Sequence, residues 1–346
     1  MTNYYIVKIF LLATLSFVVT MLWTPALTHI LYKYKLGKQI RDEKTAPVFY
    51  KFHKEKKGTP TMGGVLIWLT TLAFAVTFFI LSELFNGIFT DLNFLSRKET
   101  LLPLGALVAS AIVGLIDDLF DILRLGHNGG GLRMRHRFII YAIIAIVGAW
   151  WFFFKLEWTT LYVPFYGNFE LGLWYIPFFI FVIVATAFSV NETDGLDGLA
   201  GGALLFSFAA FSAIAFAKGR YDLASFCAVI IGALLAFLWF NINPARFIMG
   251  DTGAMSLGVT LGVIAMLTDA SLLLPLIGLI FVIESLSVIV QWLSKLLRKK
   301  KIFISSPIHH HLQAIGWSEP KIVMRFWVIS GVSAVLGLIL FLLDRS

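Results

Sequence analysis

One cysteine, Cys227, occurs in 346 residues, so no internal disulfide can brace the chain. It sits within an apolar run and says nothing about redox compartment. Charged side chains are scarce, 14% of residues, where a soluble domain averages about 25%. No polar stretch is long enough to build a soluble domain. No internal repeat and no low-complexity segment interrupts the chain. These absences exclude a disulfide scaffold, a soluble globular protein and a repeat array.

What remains is apolar. Hydrophobic residues make up 59%, mean hydropathy is +0.85, and there are 33 Phe and 10 Trp. Phe and Trp in such numbers suit lipid-facing surfaces and interfacial belts. The net charge of +8 fits basic cytoplasmic loops of a membrane protein, so no nucleic-acid partner is expected.

A helical span needs about 20 apolar residues. Ten segments qualify: 6–30, 63–84, 101–120, 137–154, 173–190, 198–217, 222–240, 252–268, 271–293 and 325–343. The fold class is all-α and polytopic, and residues 1–346 form one transmembrane domain. The first run lacks a small-residue cleavage pattern and is followed by a basic loop, so it is a retained span. The ninth is the least regular, because Glu284 and Gln291 interrupt it.

Basic residues sort by loop. The odd-numbered loops hold 21 Lys and Arg, the even-numbered loops 5. The positive-inside rule then makes the odd loops cytoplasmic and puts both termini outside. Asp117, Asp118, Asp194, Asp197, Asp251 and His309–His311 all fall on the basic side, at span ends or in loops. Carboxylates beside many cations suggest a metal and phosphorylated groups.

Each cluster has a plainer alternative. Asp117 and Asp118 end the third span in GLIDDLFDI; adjacent carboxylates repel unless a cation sits beside them, or the pair is merely solvated at the interface. In NETDGLDG (191–198), Asp194 and Asp197 are three apart and share a side if a helix has begun; otherwise one of them caps the sixth span. Asp251 in MGDTG is either an N-cap or a third side of a Mg²⁺ site, since Mg²⁺ takes a few carboxylates, waters and phosphate oxygens. Three consecutive histidines, His309–His311, do not all face one metal from a regular helix. They read as donors to a diphosphate or as proton handlers, or as a solvated tract. HKEKKGTPTMGG (53–64) offers Lys56, Lys57, Thr59 and Thr61 beside a Gly-Gly entry to the second span. It is not a G-x-x-x-x-G-K-[ST] phosphate loop, and such basic loops often serve only topology or anionic lipid.

Taken in order, GTPTMGG (58–64), LIDD (115–118), N-x-TDGLDGLA (191–200), N-x-NPA…MGDTG (241–253) and SPIHHH…GW-x-EP…RFW (306–327) resemble the phospho-N-acetylmuramoyl-pentapeptide transferase family, within the polyprenyl-phosphate N-acetylhexosamine-1-phosphate transferases. The resemblance covers nearly the whole chain. It implies transfer of phospho-MurNAc-pentapeptide from UDP-MurNAc-pentapeptide to undecaprenyl phosphate, giving lipid I and UMP, with Mg²⁺. It implies a bacterial inner-membrane enzyme, working among membrane lipid with its site on the cytoplasmic face, and a homodimer is one expectation. Asp117, Asp118, Asp251, His309, His310 and His311 carry over as catalytic, with Asp251 and Asp118 toward the metal. Lys56, Asn191, Asp194, Gly195, Leu196, Asp197 and Asn241 carry over to the nucleotide side, and Thr61, Ile248 and Gln291 join them as substrate-binding candidates. Three positions depart from the family: Glu192 for Leu, Ala254 for Ser, and Ile248 for a Phe near the uracil. A sibling that moves GlcNAc-1-phosphate, and a transporter with intramembrane carboxylates, are the competing expectations; only Glu284 lies well inside an apolar run, as a transporter would need.

Overall fold

The computed structural model describes residues 2–37, 56, 58–96, 99–125 and 131–345. Lys57, Gly129, Gly130 and much of the 31–62 loop lie outside the described residues. Among the described residues, ten helices are long and apolar enough to cross a membrane. They are α1 (Thr2–Lys33), α2 (Val65–Leu84), α3 (Leu101–Ile122), α4 (Met134–Trp150), α5 (Tyr175–Thr193), α6 (Leu199–Ala217), α7 (Tyr221–Asn241), α8 (Gly250–Leu267), α9 (Leu279–Arg298) and, last in the chain, Glu319–Leu343. A short α10 (Ile308–Ala314) precedes that final helix, α11.

α8 is the axis of the bundle. Every residue on it except Asp251 is buried. It packs on α3, α5 and α2, and small residues let the backbones approach. Gly258 lies against the Ala187 backbone, where an added Cβ would sit 2.9 Å from Cα. Outer helices instead expose large apolar side chains such as Phe10, Leu22, Val147 and Val328. In water such a surface would be a liability; in lipid it is the solvent-facing one.

Two features depart from the sequence expectation. The ninth span does not run 271–293. A short turn at Ser271–Leu273 and Leu274–Ile277 ends at Gly278, and α9 then continues to Arg298. Gly278 breaks the helix, and the later residues continue it because their basic and apolar side chains tolerate exposure there. The second departure is a hairpin in an otherwise helical chain. β1 (Thr160–Val163) pairs antiparallel with β2 (Gly167–Glu170), Leu161 opposite Phe169. Its alternating Thr, Tyr, Val and Phe residues are β-formers, too few for a span.

Candidate active site

The described residues of the predicted site meet at one end of the bundle, and helix termini place most of them. Asp117 and Asp118 close α3, Arg137 opens α4, Asn191 nears the end of α5, and Asp251 opens α8. Gly114 on α3 has its Cα against the Asp251 main chain, which brings the α3 carboxylates to the start of α8.

The two adjacent aspartates have different partners. Asp118 is buried and faces the α8 N-terminus. Its Oδ1 accepts the Asp251 amide at 3.1 Å and its Oδ2 the Thr252 amide at 3.0 Å. Thr61 donates its hydroxyl to the same carboxylate at 3.3 Å. Asp118 therefore caps another helix, where the first amides lack partners and the dipole is positive. Gly250, at φ 76°, lets the chain turn there; a Cβ would stand 2.6 Å from Asp118 Oδ2.

Asp117 and Asp251 are joined instead by Arg137. Its Nε lies 2.7 Å from Asp117 Oδ2, its Nη2 donates to Asp251 Oδ2 at 2.7 Å, and its Nη1 donates to Asn191 Oδ1 at 3.1 Å. Asn191 donates to the other Asp251 oxygen at 2.6 Å. Asp251 thus does not cap its own helix, and it keeps 19% exposure. Arg137 was not singled out from sequence. Its signal was one of three closely spaced arginines, with Arg133 and Arg135, at a span start on the basic side, indistinguishable there from a topogenic charge.

Two carboxylates, Asp117 and Asp251, share one guanidinium, and Asp118 adds a third carboxylate beside them, so carboxylates outnumber cations in the cluster. Its donors are oxygens, which suit a hard divalent cation. Among the described residues, no three His, Cys, Asp or Glu side chains converge to hold a metal alone. Mg²⁺ does not require that, since it is commonly held by one or two carboxylates with waters and substrate phosphates. The donor set fits it through Asp251, which keeps an open edge, better than through Asp118, whose oxygens already face amides.

A second group lies on the 194–198 turn. Lys56 pairs with Asp197 Oδ1 at 2.7 Å and with Glu319 at 2.5 Å, and Glu319 also accepts the Asp197 amide at 2.7 Å. Asp197 Oδ2 accepts from Asn243 at 3.1 Å and from the Ala245 amide at 3.0 Å. Asp197 is therefore not the cap of α6. Asn241 takes that part by accepting the Gly198 amide at 2.9 Å, and it donates to the Phe247 carbonyl at 2.8 Å. Leu196 is buried, whereas Asp194 and Gly195 are partly exposed beside it. Glu319 and Asn243 are further members that sequence did not single out, because Glu-Pro and Asn-Pro read as helix-start and turn signals.

The GTPTMGG segment seals this floor. Gly63 and Gly64 donate to the Ile248 and Met249 carbonyls at 2.8 Å, and the Ile248 amide returns a bond to the Pro60 carbonyl at 2.7 Å. Gly64 meets the Gly253 backbone with no room for a Cβ. Ile248 stays partly exposed, while Phe247 is fully buried against Phe237 and Phe240.

The histidines differ from one another. His309 is fully buried, and its Nδ1 lies 3.0 Å from Glu284 Oε2. Its Nε2 packs on Gly195 and has no hydrogen-bond partner. Burial, with Lys56 nearby, pushes its pKa well below the ordinary histidine value, so the ring is neutral. His310 bonds Gln313 through Nδ1 at 3.0 Å, and His311 accepts the Ile304 amide at 3.3 Å. Gln291 is buried and engaged by the returning chain: its Oε1 accepts the Ile302 and Phe303 amides at 3.0 Å, and its Nε2 donates to the Phe303 carbonyl at 2.9 Å.

Beside Asp117 an open cavity of about 500 Å³ is lined by Phe120, Leu125, Leu132, Arg133, Arg135 and His136. It combines apolar walls with cations.

Comparison with known proteins identifies relatives of the chain. A model of glycosyl transferase family 4 matches residues 100–269, and signature 1 of phospho-N-acetylmuramoyl-pentapeptide-transferase matches 56–67. Proteins named phospho-N-acetylmuramoyl-pentapeptide-transferase are similar along almost the whole chain. That of Chloroflexus aggregans is 38% identical, covering 97% of this chain and 90% of its own. That of Clostridium novyi is 39% identical over 93% of each, and that of Geobacillus thermodenitrificans 38% identical over 93% and 94%.

Proposed function

Because the chain belongs to the phospho-N-acetylmuramoyl-pentapeptide-transferase family, we propose that its carboxylate end joins a UDP-linked muramoyl peptide to a lipid phosphate. The protein is a multi-pass membrane enzyme of peptidoglycan synthesis. It transfers phospho-MurNAc-pentapeptide from UDP-MurNAc-pentapeptide to a polyprenyl phosphate, giving lipid I and UMP. We take the acceptor to be undecaprenyl phosphate and the site to face the cytoplasm of a bacterial inner membrane.

The observation that carries this reading is Asp251. It is the one residue of the central helix that is not buried, and Arg137 and Asn191 hold its two oxygens. Phosphoryl transfer asks a protein mainly for positioning and electrostatic stabilisation. An oxygen of the lipid phosphate bonds to the phosphorus that carries the sugar, and the bond from that phosphorus to the UMP oxygen breaks. Lys56, held by Asp197 and Glu319, supplies a positive charge on the nucleotide side. Arg137 supplies one between Asp117 and Asp251. The cavity lined by Phe120, Leu125 and two arginines, Arg133 and Arg135, suits an apolar tail with a phosphate head. Asp251 would hold Mg²⁺, with Asp118 behind it; bound there, the ion would neutralise the diphosphate charge as the leaving group departs.

The test is labelled UDP-MurNAc-pentapeptide with undecaprenyl phosphate in detergent, with Mg²⁺ and with a chelator. We expect a labelled lipid and released UMP only with the metal. Conversion of UDP-GlcNAc but not of the muramoyl substrate would assign the chain to the GlcNAc-1-phosphate sibling. Label crossing a sealed vesicle unconverted would favour a transporter.

A further inference from the structure

We propose that Glu284 is a positioning residue for His309: it accepts the Nδ1–H, so that Nε2 stands as a hydrogen-bond acceptor beside Gly195 at the nucleotide end of the site. The assignment of that end rests on the transfer reading above.

Both side chains are fully buried, and Nδ1 and Oε2 are 3.0 Å apart. Glu284 Oε1 has no hydrogen-bond partner, so the His309 ring nitrogen is the polar contact of this carboxyl group. We place the shared proton on Nδ1, because the alternative tautomer would carry an N–H on Nε2 facing the positive charge of Lys56. A neutral ring with Nδ1–H leaves a lone pair on Nε2.

That nitrogen has no partner within the protein. Buried polar atoms are nearly always satisfied, so an orphan needs an explanation. A purely structural Glu–His pair would satisfy both ring nitrogens internally. Here the free one points at the Gly195 main chain, where no side chain intervenes. Lys56 lies close enough to affect the ring electrostatically. Its positive charge disfavours an outward N–H and favours a lone pair. A donor on the substrate, such as the uracil ring N–H or a ribose hydroxyl, would complete the bond. Glu284 lies deep within α9, which explains how an acidic residue is retained in an apolar span.

The experiment uses the full chain in bilayers, labelled with nitrogen-15 histidine, and solid-state NMR. His309→Gln identifies the His309 signals by their loss. We expect a protonated Nδ1 and a bare Nε2 in the unsubstituted protein. Glu284→Gln, whose amide oxygen still accepts, keeps that pattern; Glu284→Leu loses it. Calorimetry with UMP should show Glu284→Leu binding about tenfold more weakly, the scale of losing an orienting partner, and Glu284→Gln should recover most of it. A proton on Nε2 of the unsubstituted protein overturns the proposal. So does UMP binding by folded Glu284→Leu equal to that of the unsubstituted chain. If Glu284→Leu fails to fold, the spectra of the unsubstituted chain and of Glu284→Gln decide alone. A bare Nε2 with UMP binding but no lipid product would overturn the transfer reading and leave this one standing.

Discussion

At the scale of residues, charge distribution around Asp251 decides what the site can do. Arg137 and Asn191 hold its two oxygens, yet the side chain keeps an open edge. Asp251→Asn keeps size and one acceptor while removing the charge. We expect turnover to fall on the order of 10²-fold or more, as when one preorganised electrostatic group is lost. The measurement is turnover against Mg²⁺ concentration, with thermal unfolding to confirm folding; near-normal turnover at low Mg²⁺ would reduce Asp251 to a structural partner of Arg137. Ile248 poses a separate question. The family Phe has no equivalent in Phe247, whose ring is enclosed by Phe237 and Phe240. Ile248→Phe is expected to tighten UMP binding through about 0.5–1.5 kcal/mol of aromatic contact. Phe247→Ala should instead lower stability by about 3–5 kcal/mol through a core cavity. Calorimetry and thermal unfolding of both variants separate the roles; unchanged affinity in Ile248→Phe would place the base elsewhere.

At the scale of elements, the same chain ends both hold the fold and carry the charges. Asp118 on α3 caps α8, and Asn241 at the end of α7 caps α6. Glu284, Ser287, Gln291 and Ser294 form a buried polar stripe on α9, at spacings of three and four residues. Three of its side chains bond the returning 300–309 segment. The stripe explains why the ninth span was the least regular in sequence. Nine spans were legible within a few residues because twenty-residue apolar runs have few competing readings. The hairpin was not, since four-residue strands leave almost no periodic signal. Aspartates and histidines were legible as types at span ends. Their partners were not, because Arg137, Asn243 and Glu319 meet them across 114, 46 and 122 residues of sequence. Gly64 gives the matching prediction. Its Cα abuts Gly253, so Gly64→Ala must push α2 from α8, at about 1–3 kcal/mol for overpacking. A lowered thermal midpoint with disturbed Gly63 and Gly64 bonds is expected; an unchanged midpoint would mean that the contact yields freely.

At the scale of the whole molecule, loops separate by parity onto the two ends of the bundle. Lys56, Asp197, Asp251 and Glu319, from odd connections or their flanks, meet at one end. At the other, Lys218 lies 4.0 Å from Asp269 and over the rings of Tyr162 and Phe341, while the Phe165 amide bonds Asp344. Lys8 bonds the Asn93 carbonyl at 2.8 Å and Asp222 at 3.4 Å, which brings the N-terminal helix to even connections as well. Both termini therefore share an end with the basic-poor loops. Charge predicts the sidedness: the odd loops hold 21 of the Lys and Arg against 5, and the positive-inside rule assigns such loops to the cytoplasm. On that proposed orientation, a UDP-linked substrate on the cytoplasmic side would reach the carboxylate end without crossing lipid. Cysteines introduced into the 31–62 and 294–324 loops should react with an impermeant thiol reagent only after cells are opened. A cysteine at Tyr166, on the exposed hairpin turn, should react in intact cells. The native Cys227 is fully buried and gives a quiet background. Reaction of either basic loop from outside intact cells would reverse the orientation and put the carboxylate end beyond reach of a cytoplasmic nucleotide.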